Sequence, residues 1–475
     1  MVARLLPLLT LAVRAAWLAL VPPQPLAAVD ARGYDLLAHN LLAGAGLSLR
    51  RTPPFCPTML RTPGYPLFLA AAYRLLGGVR GAILLQMLLE VLTTALVIRL
   101  GREVADRRTG RMAGLLYALN GTSWRYTGDL YAEILLLPVL SFALLATVRW
   151  LRRGGRVEAA ATGAGWGAAL LVKPNLLYLA AVLLPTVALL RRRRGGRRWG
   201  LPLVVAGLIL LPWVVRNGVR LGRWRLSDAF LVNRARVSAV ATLAELRHIP
   251  VEPWTPTWEA LYAELVAETA RAEGWDSPTV EVHDCRETLR REEAVAARAD
   301  RLLRAHPWAA LRAHLRGVGR SLLDPGHRFW YAVLTGSPWE TTGVVPDIWR
   351  RMGWSLERGA VGDALLAFWR ERVLRPPWGA FLLWWGLVVM RVALWRWGVR
   401  GLLRLRGRGG GLLAATVLYH LLLPGPIAYE RFTLPAIPAL VILVAAGMQV
   451  VKPAPAPPAP APECAAPPPP APSPR

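Results

Sequence analysis

The sequence predicts an all-α polytopic membrane protein with about ten transmembrane helices and a mostly helical extracytoplasmic domain. The 475 residues are 54% hydrophobic and only 19% charged, and apolar runs of about 18–20 residues, long enough to cross a bilayer, recur along the chain. Arginines cluster in alternate loops between these runs, as the positive-inside rule expects of cytoplasmic loops. Because the basic residues follow this pattern, the net charge of +28 does not indicate nucleic-acid binding.

The apolar runs divide the chain into four parts. These are an N-terminal transmembrane module (1–216), an extracytoplasmic, mostly helical region (217–375), C-terminal transmembrane helices (376–451) and a Pro/Ala-rich tail (452–475) that composition predicts to be disordered. The predicted spans are 4–21, 81–99, 112–121, 130–149, 159–172, 176–190, 199–215, 376–395, 411–424 and 433–451. Residues 63–77 are too short and too Pro-broken for a confident span and could lie at the interface. In the outer region, helices are predicted from Pro256, capped by Thr255, and from about Glu287 to Ala305.

Charged side chains recur where the predicted spans meet the outer surface. The alternation of arginine loops places Asp30, Asp129, Glu133, Lys173 and Arg216 at or near this one face. An acid just outside the first membrane helix, followed by a Pro/Gly-rigid return into the bilayer, is costly unless it serves a site. The alternative for Asp30 is an ordinary solvated loop, and the alternative for each cation is snorkelling to lipid headgroups.

Acids and bases on the outer face fit glycosyl transfer from a sugar carried on a lipid phosphate. The attacking hydroxyl must lose a proton, and a carboxylate such as Asp30 can accept it as general base. The leaving phosphate needs cations, for which Lys173, Arg216 and Arg431 are candidates because each ends a predicted span. Glu430 could instead simply neutralise Arg431.

Cysteines and histidines give no metal signature. Cys56, Cys285 and Cys464 form no metal motif, and the histidines show no ligand spacing. We therefore predict no metal and no cofactor, with a divalent cation left open. A disulfide between Cys56 and Cys285 would require both to lie outside the membrane, and unpaired cysteines are the favoured interpretation.

Motifs in order along residues 1–450 resemble the bacterial GT-C class of membrane glycosyltransferases, closest to the protein-mannosyltransferase-like family 39 and its relatives. The matching elements are Asp30 with Tyr34, Ala38, Leu42, Gly44 and Gly46; the return Arg61 to Pro66; Ala132-Glu133; Lys173-Pro174; the string LPWVVRNGVRLGRW at 211–224; and Glu430 to Pro435. Two departures are that many members carry two adjacent acids where this chain has Asp30-Ala31, and that 225–375 match no motif.

The resemblance implies a polyprenyl-phosphate-sugar donor, an active site on the extracytoplasmic face of the cell membrane, Asp30 as base and inversion at the anomeric carbon. The acceptor would be a glycan, lipid or protein. The expected site residues are Asp30, Glu133 and Asp129 for catalysis, Arg431, Lys173, Arg216 and Arg61 for the donor phosphate, and Tyr34, Asp35 and Tyr65 for substrate binding.

Two rival functions remain. A transporter or flippase of polyprenyl-linked sugars would use the same cations to hold phosphate, but should show inverted repeats and charges buried mid-span, and the sequence shows neither. A non-catalytic paralogue would explain the missing second acid.

Overall fold

The computed structural model describes residues 2–195, 198–323, 326–337, 348–405, 407 and 409–449, so the predicted disordered tail 452–475 lies outside the described residues. The described residues form helices without a β-sheet, and an isolated β-bridge joins Ser48 to Pro57. The all-α prediction is confirmed.

The N-terminal module is a series of helices joined by short turns. Its α-helices are α1 (Val2–Leu20), α2 (Val29–Leu42), α3 (Gly64–Leu76), α4 (Val79–Val104), α5 (Arg107–Ala118), α6 (Gly121–Thr127), α7 (Ala132–Arg153), α8 (Arg156–Val172), α9 (Leu177–Arg193) and α10 (Leu201–Leu221). Helix α7 is mostly buried and packs against α4 and α8. This explains why it is apolar on all sides instead of showing one apolar stripe.

The remaining helices form the outer region and the C-terminal membrane part. They are α11 (Ala229–Asn233), α12 (Val240–Leu246), α13 (Pro256–Glu273), α14 (Cys285–Ala305), α15 (Pro307–Leu323), α16 (His327–Thr335), α17 (Ile348–Glu357), α18 (Val361–Trp369), α19 (Trp378–Arg404), α20 (Gly410–Leu422), α21 (Glu430–Thr433) and α22 (Ile437–Met448). Thr255 caps α13 as predicted, because its hydroxyl accepts a hydrogen bond from the backbone N–H of Trp258.

Six helices in the described part are long and apolar enough to cross a membrane. They are Val79–Val104, Ala132–Arg153, Pro174–Arg193, Leu201–Leu221, Trp378–Arg404 and Glu430–Met448, with shorter apolar helices at Leu5–Leu20 and Gly410–Leu422. The prediction of a multi-pass membrane protein is thus confirmed. The described residues contain fewer full-length spans than the ten predicted. The predicted third span falls in α5, whose 12 residues extend about 18 Å, well short of the roughly 30 Å hydrocarbon core.

Close glycine contacts pack the C-terminal helices together. A Cβ on Gly401 of α19 would lie 1.8 Å from the Leu443 carbonyl oxygen of α22, and one on Gly447 would lie 1.9 Å from the Trp397 carbonyl oxygen. Such small residues let helix backbones approach in a membrane, where packing drives association. This contact helps to fix α22, which follows the short helix that carries Arg431.

A charged pair lies buried in the middle of the membrane part, which corrects the expectation that mid-span charges are absent. Arg14 of α1 and Glu90 of α4 are both fully buried, and Nη2 lies 2.8 Å from Oε2. The same Oε2 accepts hydrogen bonds from the Tyr117 hydroxyl at 2.9 Å and the Ser123 hydroxyl at 3.1 Å. Because the contacts join α1, α4, α5 and α6, the pair has a structural role at the helix junction.

A disulfide joins the first outer loop to the outer region, so the expectation of unpaired cysteines is wrong. Cys56 and Cys285 are bonded with a Cα–Cα distance of 5.4 Å. Arg50 of the same loop donates a hydrogen bond to the His283 carbonyl oxygen at 3.0 Å. The sequence separation of 229 between the cysteines leaves no local sequence signal for the pairing.

Candidate functional site

Five predicted residues meet where helices end on one side of the membrane part. Asp30 and Glu133 lie in the first turns of α2 and α7, where the helix dipole favours a negative charge. Lys173 is the C-cap of α8, Arg61 lies just before α3, and Arg431 lies in α21. We call these five residues the charge cluster.

Arg431 lies at the centre of the charge cluster. Its Nε donates to Glu133 Oε1 at 2.8 Å, and its Nη2 donates to Asp30 Oδ2 at 2.6 Å. The guanidinium lies 3.9 Å from the centroid of the Tyr131 ring, a cation–π contact. The side chain is only 5% exposed. Arg431 therefore holds together two acids from helices far apart in sequence.

The other two cations complete the charge balance. Lys173 forms an ion pair with Glu133, and Arg61 forms one with Asp30. The Arg61 guanidinium also lies 5.1 Å from the centroid of the Tyr34 ring. Three cations facing two carboxylates leave the cluster with one excess positive charge. A partly buried excess charge of this kind is suited to an anionic ligand, which would offset the cost of desolvation.

Asp30 is ionised in this arrangement. Burial raises the pKa of its carboxyl, but the guanidiniums of Arg61 and Arg431 outweigh burial and hold the pKa well below its usual range. A carboxylate paired with two guanidiniums is a weak proton acceptor. Its basicity would rise if an anion took over either guanidinium.

Asp129 has a different environment from Asp30. Among the described residues its carboxylate makes no hydrogen bond or ion pair, and it lines a cavity of about 600 Å³ together with Ala31, Tyr131 and Tyr429. Burial raises the pKa of Asp129 to about 6, against the opposing positive charge of Arg125. Asp129 therefore lies beside the charge cluster without being neutralised by it.

Glu430 pairs with Arg125, which is not among the predicted site residues. Its carboxylate forms an ion pair with Arg125 of α6, so it does not neutralise the neighbouring Arg431. The Tyr429 hydroxyl accepts a hydrogen bond from Arg431 Nη1 at 3.3 Å. Arg125 lies in the polar segment that precedes α7, and this polarity is the sequence signal that indicates it. Nothing in the sequence distinguishes Tyr131 or Tyr429.

Besides Asp129 and Tyr34, three further predicted residues lie outside the charge cluster. Arg216 donates to the Thr58 carbonyl oxygen at 2.8 Å and thereby holds the first outer loop. Asp35 accepts a hydrogen bond from the Tyr73 hydroxyl at 2.7 Å. Tyr65 is fully buried and packs edge-on against Tyr34, with ring centroids 4.9 Å apart. Asp35 and Tyr65 thus belong to the packing behind the site, and their predicted substrate contacts stay predictions.

No group of three His, Cys, Asp or Glu side chains in the described residues is arranged to hold a metal ion. Both acids of the charge cluster are instead directed at cations. The divalent cation left open by the sequence has no candidate ligand set in this part of the chain.

Solved structures that match this chain do so at low sequence identity. The apo oligosaccharyltransferase of Archaeoglobus fulgidus is 15% identical with a TM-score of 0.43, over 94% of this chain and 49% of that protein. Apo ArnT of Cupriavidus metallidurans is 15% identical with a TM-score of 0.38, over 93% of this chain and 76% of ArnT. This chain thus spans about half the length of the oligosaccharyltransferase.

No curated protein sequence matches the chain. A family model does match, over residues 60–215, about a third of the chain. This segment includes Arg61, Glu133 and Lys173 of the charge cluster. The resemblance predicted from the motifs is therefore confirmed there: residues 60–215 are similar to the dolichyl-phosphate-mannose-protein mannosyltransferase family, which is of the GT-C type.

Proposed function

We propose that this protein is an integral membrane glycosyltransferase that moves a sugar from a polyprenyl-phosphate-linked donor to an extracytoplasmic glycan, lipid or protein. The observation that carries the proposal is the charge cluster, with its excess positive charge among helix ends at one side of the membrane helices. A phosphate leaving group develops negative charge and needs convergent cations. Snorkelling side chains, by contrast, have no need to converge.

In this proposal the donor phosphate binds to Arg431 and Lys173, with Arg61 nearby. Phosphate oxygens compete with Glu133 and Asp30 for the same N–H donors, and a guanidinium can bind phosphate through two parallel hydrogen bonds. Binding the anion would relieve the excess positive charge. It would also weaken the ion pair between Arg431 and Asp30. Donor binding would thereby raise the basicity of the proposed catalytic carboxylate.

Asp30 is the proposed general base, and the cavity of about 600 Å³ is the proposed entry for the acceptor. Ala31, the residue after Asp30, lines this cavity, and so does Asp129. An acceptor hydroxyl bound there would approach both carboxylates. Asp30 would accept its proton as the hydroxyl attacks the anomeric carbon, while the bond to the phosphate oxygen breaks.

The disulfide supports an extracytoplasmic position for the site. Disulfides persist in oxidising compartments and are rare in the cytosol. The bond between Cys56 and Cys285 joins the first outer loop to α14. Arg61 belongs to the same loop, so an oxidising environment for the bond implies the same side for the charge cluster.

The test compares Asp30→Asn with Asp363→Asn, which changes an exposed acid in the first turn of α18, outside the predicted site. Mass spectrometry of envelope glycans and glycoproteins, with and without the protein, first identifies the sugar that is lost. Transfer of that sugar by the purified protein should fall by about two orders of magnitude or more in Asp30→Asn and little in Asp363→Asn. Near wild-type transfer by a folded Asp30→Asn would refute the role of the base.

A further inference from the structure

A second cavity lies next to the cations of the charge cluster and is separate from the cavity of about 600 Å³. It has a volume of about 240 Å³ and lies between the membrane helices α9 and α20 and the outer helices α11 and α15. Pro174, which follows Lys173, and Phe432, which follows Arg431, both contribute to its wall. The cavity therefore adjoins the two chain segments that carry these cations.

His420 of α20 lines this cavity and has an unused hydrogen-bond acceptor. Its Nδ1 lies 2.8 Å from the Thr416 carbonyl oxygen, and because a carbonyl can only accept, Nδ1 must carry the proton. In the neutral ring Nε2 is then an acceptor. The residue is 3% exposed, and Nε2 has no hydrogen-bond partner among the described residues.

A second unused acceptor lies in the same wall. Asn175 Oδ1 is buried and has no hydrogen-bond partner among the described residues. The Tyr419 hydroxyl donates to the backbone oxygen of Asn175, which holds α20 against the start of α9. A buried acceptor without a donor costs free energy. The two unused acceptors, His420 Nε2 and Asn175 Oδ1, therefore favour a ligand that carries hydrogen-bond donors.

The remaining wall is apolar over most of its surface, including Phe230, Val237 and Phe432, and it also contains the arginines Arg225 and Arg234. Both arginines are paired with acids of the outer region. A prenyl chain would suit such a wall but has no hydrogen-bond donor for the two acceptors. A phosphate would place further acceptor oxygens against them. A sugar has both hydroxyl donors and apolar C–H faces. The small volume also fits one compact group better than a long lipid chain, since drug-sized ligands occupy pockets of about 300 Å³ or more.

We infer that this cavity binds the sugar of the lipid-linked donor, and that His420 Nε2 accepts a hydrogen bond from a sugar hydroxyl. The inference rests on the proposed function, because it takes the phosphate to be held by Lys173 and Arg431. It makes His420 a substrate-binding residue that helps to determine which sugar is used.

The experiment measures the affinity of the purified full-length protein in lipid nanodiscs for a C10 prenyl phosphate and for the same lipid carrying mannose, glucose or arabinose. His420→Phe keeps a flat ring without an acceptor, and His420→Gln can offer an amide oxygen in its place. His306→Phe is the control, because it makes the same change at an exposed histidine at the end of α14, outside this cavity.

At least one sugar should increase the affinity of the wild type over the bare phosphate. His420→Phe should then lose about tenfold in affinity for that probe, the scale of one buried hydrogen bond, while its affinity for the bare phosphate stays the same. His420→Gln should recover part of the loss, and His306→Phe should match the wild type.

Three results would overturn the inference: no sugar increases the affinity, His420→Phe binds the glycosylated probe like the wild type, or it weakens the bare and glycosylated probes equally. In the last case the prenyl chain occupies the cavity. Failure of the wild type to bind the bare prenyl phosphate would instead contradict the proposed function, so the two failures are distinguishable.

Discussion

Replacing Arg431 by alanine is the most direct test of donor binding. The charge cluster would change from three cations and two acids to two of each, and its excess positive charge would disappear. The loss of one charge-assisted hydrogen bond to phosphate is worth about 1–3 kcal/mol. The dissociation constant for a short-chain polyprenyl phosphate should therefore rise roughly five- to 150-fold.

The structure also indicates that the variant should fold. Removing one partner of a buried ion pair costs about 3–5 kcal/mol when it leaves a charge unpaired. Here Glu133 keeps Lys173 and Asp30 keeps Arg61, so the loss of unfolding free energy should be smaller. Thermal unfolding of the purified protein measures this loss separately from binding.

Two further variants sharpen the test. Arg431→Lys keeps the charge but loses the guanidinium fork, so it should recover only part of the affinity. Arg223→Ala is the matched control, because it removes an arginine paired with Glu293 in the outer region and changes the net charge equally. Calorimetric titration should give Arg223→Ala the wild-type affinity. Unchanged affinity in folded Arg431→Ala would refute the assignment of the phosphate site.

Three other predictions concern topology and stability. A reporter fused after Arg198 should read cytoplasmic and one after Glu273 extracytoplasmic; a cytoplasmic signal at Glu273 would contradict the outer-face site. Glu90→Gln should lower the free energy of unfolding by about 3–5 kcal/mol because its arginine partner is left buried, and an unchanged unfolding temperature would exclude a structural role for the pair. Replacing Cys56 and Cys285 together by serine should cost about 2–5 kcal/mol of stability, measured by thermal unfolding with and without reductant; a reductant-insensitive wild type would contradict the crosslink.

The helices and the positions of most site residues could be predicted from sequence because both are local properties. Apolar runs and breaks at Gly, Pro and arginine clusters fix where a membrane helix begins and ends. Asp30, Glu133, Lys173 and Arg431 were selected because each is a charge next to an apolar run. The cap at Thr255 and the helix that follows it could be predicted for the same reason.

The partners of these charges were decided only by the tertiary structure. Arg431 reaches Asp30 across 401 residues and Glu133 across 298, and no local pattern records such distances. The adjacent Glu430 turns to Arg125 instead, because residues next to each other on a helix do not face each other. The disulfide, the buried pair of Arg14 with Glu90 and the cavity at His420 likewise exist because separate helices pack side by side, and each helix alone contains only half of the contact.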